Sequence, residues 1–246
     1  MSAGASVTKP LVAVTGAGSG IGAAVARAFS AAGHPLLLTG RRVERLEALG
    51  LPDAMCRPVD VLDVDGYRAV VDEAQAAYGP VDLLVNNAGT MALEQIAAQA
   101  PEAWSRQFEI NCVGLLNCTS AVLPAMLERG GGTIINVGST AGRTLYPNHT
   151  AYCASKHAVH TMTEGLRREA APAGVRVILV APGMVDSELL SGTDSEIHRQ
   201  AWLDYRDEIG GAIAPEDIAS AMLFAYQQPQ SICIWEMVVA PTRQLS

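Results

Sequence analysis

Short runs of Val, Leu and Ile alternate along the chain with longer Ala-rich stretches whose apolar positions recur at helical spacing. LVAVT leads into IGAAVARAFSAAG, PLLLTG into VERLEALG, and AMCRPVD into GYRAVVDEAQAAYG. VDLLVNNAG follows, then a long helical stretch at about 101–128, GTIINVGS, VRVILVAPG and finally ICIWEMVV. The strand candidates, about seven in number, are apolar throughout instead of alternating, as strands buried on both faces are. Strands separated by helices predict an α/β chain, a parallel sheet covered on both faces and therefore three layers. No internal repeat, low-complexity tract or linker rich in Gly, Pro or Ser divides residues 1–246, so one domain is expected. One segment breaks the rhythm. At about 184–211 the chain turns polar and mixed in charge between APG and GG, which predicts a substrate lid.

Composition narrows the partners. A chain of 246 residues, 49% hydrophobic and 17% charged, is long enough for one substantial core and is globular in character. A net charge of -8 disfavours nucleic acid or an anionic membrane as the main partner, since both need a basic face. Cys56, Cys112, Cys118, Cys153 and Cys233 are odd in number, widely spaced and without C-x-x-C or a neighbouring His cluster. No metal site is expected from them; buried, reduced thiols in a cytoplasmic protein are. The polar start MSAGASVTKP carries no secretory pattern, and no apolar run reads as long enough to span a bilayer.

The candidate chemistry begins after the first strand. TGAGSGIG presents Gly16, Gly18, Ser19, Gly20, Ile21 and Gly22 in a strand-turn-helix context. Such a turn exposes backbone N–H groups at the positive end of a helix and lets a pyrophosphate approach, although glycines there also serve packing alone. The second strand ends in Gly40, Arg41 and Arg42, where an NAD-binding chain would place an acid for the ribose diol. Two arginines offer a fork for a 2′-phosphate instead, or form an ordinary exposed basic pair. Tyr152 and Lys156 stand four residues apart in AYCASKHAV, on one face of a helix. That spacing arises by chance on many solvated helices. Its chemical sense is that a phenol with a pKa near 10 lies about 4 kcal/mol from proton transfer near neutrality. A cation about 4 Å away supplies a comparable amount at an effective dielectric near 20.

With these motifs in order, the chain resembles the short-chain dehydrogenase/reductase family from about Leu11 to Val239. The resemblance is carried by TGAGSGIG, Asp60 with Val61, NNAG from Asn86 to Gly89, Asn111 in INCVG, Ser139 in NVGSTAG, Tyr152 with Lys156, and Pro182 with Gly183. It implies a Rossmann-like, doubly wound sheet of seven strands in the order 3-2-1-4-5-6-7 and a catalytic tetrad of Asn111, Ser139, Tyr152 and Lys156. In that tetrad Ser139 would bond the substrate oxygen, Tyr152 would move the proton, Lys156 would hold the nicotinamide ribose, and Asn111 would support a water path to Lys156. Asp60 and Val61, Asn87, Ala88 and Gly89, Pro182 and Gly183, Val185 and Ser187 would meet the cofactor, with Ser187 standing where the family usually has Thr. Two positions depart from the pattern. Ser19 replaces a basic residue common in NADP-using members, which leaves phosphate recognition to Arg41 and Arg42, and Gly138 stands where Ser is frequent before the catalytic Ser, a change expected to alter only local packing.

The expected activity is hydride transfer between NADP(H) and a small aldehyde, ketone or hydroxy acid. An NAD(H)-dependent alcohol, steroid or polyol dehydrogenase and a non-catalytic, NADP-sensing regulatory protein are the alternatives. Met91, His149, Met184 and Trp202 are candidates for the substrate pocket, though each also suits packing. Arg143 or Arg243 would meet a substrate carboxylate or sulfonate, although Arg143 would equally suit holding a loop. The family also implies a homotetramer, with a homodimer as the alternative, built from the long helices at about 104–128 and 152–170 and the last strand.

Overall fold

The computed structural model describes residues 9–245. Each apolar run forms a strand: β1 (Leu11–Thr15), β2 (Leu36–Gly40), β3 (Ala54–Pro58), β4 (Val81–Asn86), β5 (Thr133–Val137), β6 (Arg176–Pro182) and β7 (Glu236–Val239). They pair in parallel in the order β3-β2-β1-β4-β5-β6-β7, the order the resemblance implied. Between them run α1 (Gly20–Ala31), α2 (Val43–Glu47), α3 (Val64–Tyr78), α4 (Pro101–Phe108), α5 (Leu115–Arg129), α6 (Thr150–Ala170), α7 (Glu196–Glu208) and α8 (Pro215–Gln227).

The parity of β1 shows why the strands are apolar at every position. Val12 and Val14 pack with Val25 and Phe29 of α1 and Met222 of α8, while Leu11 and Ala13 face Tyr67 and Val71 of α3 and Cys118 and Val122 of α5. Burying a side chain of Val or Leu size contributes about 1.5–3 kcal/mol, so a polar residue at either parity forfeits that gain and adds a desolvation cost. The result is one Rossmann-like α/β domain with two cores back to back. All strands run the same way, so the turns after β1, β2, β4, β5 and β6 gather at one edge of the sheet. Sequence neighbours part between β1 and β4, where strand order reverses and a crevice opens.

Three expectations are modified. The stretch at about 101–128 is helical but interrupted, because a π-helical turn at Glu109–Gly114 separates α4 from α5. This wider turn carries Asn111, whose side chain accepts from Thr90 N at 2.8 Å and donates to Thr90 O at 3.0 Å, an arrangement of the kind π turns support at functional sites. The same run, Pro101–Arg129, is in fact long and apolar enough by composition to cross a bilayer. Its Asn111, Cys118, Val122 and Met126 are buried, and the last three pack with β1, β4 and α3, as in the core helix of a globular domain. Within ICIWEMVV only Glu236–Val239 is strand; Ile232 N is turned back to Pro229 O at 2.8 Å, and pairing with β6 opens at Trp235 O, which accepts from Leu179 N. The expected lack of a secretory pattern concerns residues 1–8, which lie outside the described residues.

The polar segment 184–211 holds a 3-10 turn at Glu188–Gly192 and then α7, none of whose residues is buried. Ile213 N donates to Met184 O and Asp186 N to Ile213 O, each at 3.0 Å, so the segment leaves and returns at one place.

Candidate active site

A cleft of about 880 Å³ runs along the strand ends from Arg41 to Tyr205. Its floor is the glycine turn. Gly16 has φ +64°, and a Cβ there would lie 2.9 Å from Ala88 Cα; one on Gly22 would lie 2.3 Å from Gly16 O. Only glycine lets β1, its turn and the segment after β4 close this tightly. Asn87 fixes the closure: its Nδ2 donates to Thr15 O at 3.0 Å and Gly16 O at 3.1 Å, while Thr15 Oγ1 accepts from the N–H groups of Asn87 and Ala88 at 3.0 Å. Ser19 is the N-cap of α1 but makes no side-chain cap, leaving the first amide donors of the helix to face the cleft. Gly18, Gly20, Ile21, Ala88 and Gly89 line it too, and Ser187 leans over from the segment after β6, its Cβ 3.1 Å from where a Cβ on Gly20 would stand.

At the end of β2, Arg41 and Arg42 line the cleft as expected, but they are not alone. Arg45, one turn into α2, donates to Glu188 with Nη1 2.6 Å from Oε2, and Arg42 Nη2 lies 3.5 Å from the same oxygen. The hydrogen bond from Arg45 holds the Glu188 carboxyl below its ordinary range. Sequence reading missed both residues, because Arg45 lies inside VERLEALG, which reads as an ordinary helix, and Glu188 meets it only through the fold. Asp60 lies across the cleft with Val61; its Oδ1 accepts from Leu62 N at 3.0 Å and its Oδ2 from Arg106 at 3.3 Å.

The tetrad converges at the end of β5. Tyr152 and Lys156 are on the buried face of α6, and Ser139 follows β5, its Oγ accepting from Ala141 N at 3.1 Å. Asn111 Nδ2 also donates to Ser155 Oγ at 3.0 Å, tying the π turn to α6. Lys156 Nζ donates to Val137 O at 2.9 Å and lies 5.9 Å from the centre of the Tyr152 ring. A Cβ on Gly89 would come within 3.3 Å of Asn111 Oδ1 and 3.8 Å of Lys156 Nζ, so these two groups look onto one spot that glycine keeps open.

The electrostatics differ from the expectation that Lys156 brings the phenol toward neutrality. Burial pushes Tyr152 up to about 12, with the Ser139 hydroxyl offsetting part of the rise, and burial pulls Lys156 down to about 8. Desolvation of both groups outweighs their mutual influence while the ammonium is aimed at Val137 O. In this state Tyr152 is a protonated donor, suited to giving a proton to a carbonyl oxygen.

Behind Ser139 lies a set of residues that sequence reading assigned otherwise. Of the two readings of Arg143, substrate anion or loop, the structure has the structural one: it pairs with Glu236 of β7, Nε donating to Oε1 at 2.9 Å, and it is outside the lining of the cleft. The pairing wins because Glu236 is the carboxylate at the head of the adjacent edge strand. His160 stands beside Glu236, Nδ1 4.0 Å from Oε1, and its Nε2 accepts from Ser139 N at 3.4 Å. This explains Gly138: a Cβ there would lie 2.6 Å from His160 Nε2 and 2.9 Å from Leu179 Cδ1. Gly138→Ser is therefore expected to lower unfolding free energy by about 1–3 kcal/mol through overpacking, measured by chemical denaturation. An unchanged midpoint would show that the imidazole yields without cost.

At the far end, Met91, His149, Met184 and Trp202 all line the cleft, as do Pro182, Gly183 and Val185 at the end of β6. Tyr146, Tyr205 and Gln244 were not foreseen there. Gln244 Oε1 accepts from Met184 N at 2.8 Å and Tyr146 OH donates to Thr140 at 3.1 Å, so the C-terminal tail helps form this end. Nothing in the residue types of PTRQ shows that the tail folds back to the site.

Comparisons with known proteins agree with this geometry. A family model described as short chain dehydrogenase matches residues 10–197. An uncharacterized oxidoreductase of Staphylococcus saprophyticus is 37% identical over 235 residues, covering 93% of this chain and 95% of its own. The glycine betaine reductase of Emericella nidulans is 37% identical over 237 residues, but the match covers 93% of this chain and only 18% of that longer protein. Among solved structures, the closed form of serine dehydrogenase complexed with NADP+ has a TM-score of 0.89 at 32% identity, covering 96% of both chains. Serine dehydrogenase from Escherichia coli has a TM-score of 0.82 at 30% identity, covering 96% of this chain and all of its own, 100%.

Proposed function

The chain belongs to the short-chain dehydrogenase family, and on that footing we propose that it is an NADP(H)-dependent oxidoreductase acting on a small aldehyde, ketone or hydroxy acid and the corresponding alcohol. The observation that carries the cofactor choice is the end of β2: Arg41, Arg42 and Arg45 cluster where NAD binding would want a carboxylate, and Gly40 supplies none. The solved relative complexed with NADP+ supports the same choice. Glu188 at the arginine cluster is the feature that favours the NAD(H) alternative, since a carboxylate there repels a 2′-phosphate unless it moves.

The residues present fit such a cofactor. Uncapped amides at the start of α1 suit a pyrophosphate, the arginines a 2′-phosphate, Asp60 an adenine edge, and Lys156 with the open space at Gly89 a ribose. When bound, the nicotinamide gives or takes the hydride. Tyr152 donates a proton from its phenol oxygen to the carbonyl oxygen in reduction and recovers it in oxidation. Ser139 Oγ–H holds that oxygen in place, and Lys156 supplies the positive charge that steadies the phenolate left behind. Asn111 keeps the π turn against α6 and Thr90, and the apolar residues around Tyr152 exclude water. A purely regulatory role gives no chemical reason for four such groups to meet. Nicotinamide absorbance over a panel of aldehydes, ketones and alcohols tests the proposal: turnover is expected with NADPH, and binding of NADPH without any turnover would favour the sensor.

Residues 184–211 act as a lid over the substrate end within the single domain, a reading supported by the unburied α7 and the pinned ends of the segment. Hydrogen exchange is expected to slow there on adding NADPH with a substrate analogue, and unchanged exchange would argue for a fixed wall. Trp104, Phe108, Val113 and Leu116 leave an exposed apolar face along α4 and α5, and Trp235 with Val238 another on β7; both support a homotetramer or homodimer. Light scattering of the native protein decides this, and a monomer would leave those faces unexplained. The five unpaired cysteines and the acidic balance suit a reducing cytoplasm, which fractionation of the source cells would test.

A further inference from the structure

The cluster packed around Tyr152 is apolar, and Asn148, Ser191 and Gln244, which share this end of the cleft, carry no charge. Met91, Leu93 and Ala141 are buried against the phenol, with Tyr146, Leu189 and Trp202 packed around them. Any acid substrate reacting at a carbon beside its carboxylate would have to seat that carboxylate in this ring. An unpaired carboxylate taken from water into such surroundings is strongly disfavoured unless a cation receives it.

The cations near the cleft are either paired or placed away from this ring, Arg41 at the end of β2 among them. Arg143 is bound to Glu236 and outside the cleft. Arg243 lies beside Gly210, its Nη1 3.5 Å from where a Cβ would stand there, and it too is outside the lining. Arg106 is at the Asp60 end, and Arg42 and Arg45 are held by Glu188. Lys156 Nζ donates to Val137 O, on the Gly89 side of the phenol.

The two imidazoles at this end are equally unsuited to an anion. His198 Nε2 is 2.8 Å from Glu94 Oε1, and its Nδ1 is 3.1 Å from Asn148 Nδ2. His149 Nδ1 is 2.6 Å from Pro147 O, which can only accept, so the proton sits on Nδ1. Burial lowers the His149 pKa, leaving Nε2 a bare acceptor. Among the described residues, then, no uncommitted cation faces the phenol, and His149, whose ring centre lies 6.3 Å from that of Tyr152, offers a lone pair.

We infer that the substrate is an uncharged aldehyde, ketone or alcohol with an apolar substituent beside the reacting carbon, and not a hydroxy or keto acid; this rests on the oxidoreductase reading and narrows it. Met91, Tyr146 and Trp202 receive the substituent, and His149 Nε2 accepts from a hydroxyl or amide donor where the substrate carries one.

Matched pairs that differ only in charge provide the test: pyruvate against methyl pyruvate, and benzoylformate against its methyl ester, each with NADPH and the intact protein. The ester is expected to exceed the acid by about 100-fold or more in kcat/KM. Trp202→Arg, which adds a guanidinium to the ring from the unburied α7, is expected to reduce that preference about tenfold. Acids favoured by the wild type, or a preference untouched by Trp202→Arg, would overturn the inference while leaving hydride transfer standing. Failure of the oxidoreductase reading looks different: no member of any pair would consume NADPH, and the narrower inference would fall with it.

Discussion

Tyr152→Phe is expected to lower kcat by about 10²–10⁴-fold while NADPH binding, followed by fluorescence, stays near the wild-type value. The change deletes one buried hydroxyl and almost no volume, so a large loss isolates proton transfer from packing. The charge on Lys156 makes a companion prediction with a definite sign. Its pKa of about 8 lies below the ordinary 10.5 because burial disfavours the ammonium, so in the free protein the charge is present below about pH 8 and lost above it. Tyr152, pushed up to about 12, remains protonated throughout that window. The kcat/KM for NADPH, which reports the free protein, should therefore fall as pH rises through about 8, and a flat profile to pH 10 would remove Lys156 from its role. Stability has the opposite sign. Between about 8 and 10.5 the unfolded chain binds the proton that folded Lys156 has released, so this group makes folding more favourable as pH rises there.

Cofactor preference is expected to move by about tenfold or more when the end of β2 is changed. A Cβ on Gly40 would meet only Leu46 Cδ2, at 3.7 Å, so Gly40→Asp fits without strain. The new carboxylate would accept from a ribose diol and repel a 2′-phosphate, shifting specificity toward NADH. Arg41 and Arg42 changed together to Ala should raise KM for NADPH far more than for NADH, with kcat less affected. Arg45 would still stand by, held to Glu188, so the double change is expected to weaken NADPH binding without abolishing it. Equal specificity constants for the two cofactors in the wild type would contradict the arginine reading.

Sequence alone carried the sheet and most of the residues that line the cleft because both depend on local signals. A strand buried on two faces has to read as an apolar run, and a turn that packs Gly16 against Ala88 has to be glycine. What it could not carry depends on which distant residues meet. Arg143 sits close in sequence to Ser139 and reads as a substrate contact until Glu236, 93 positions away, appears beside it. Glu188, in the segment after β6, meets Arg45 across 143 positions, and Gln244 reaches Met184 across 60. Gly138 marked a departure whose reason, the His160 ring, lies one face of α6 away. The phenol's electrostatics were misjudged for a related reason: spacing shows that Lys156 shares a helix face with Tyr152, but only the folded surroundings show how strongly burial acts on each.

The most direct test of the central claim, proton and hydride transfer at Tyr152 with NADP(H), is a single-turnover measurement of NADPH consumption by excess protein mixed with a neutral aldehyde or ketone. Wild type should consume bound NADPH, and do so with a higher specificity constant than NADH, while Tyr152→Phe should leave NADPH bound and unreacted over the same time. Consumption at equal rates by wild type and Tyr152→Phe, or none by wild type with NADPH demonstrably bound, would contradict the account.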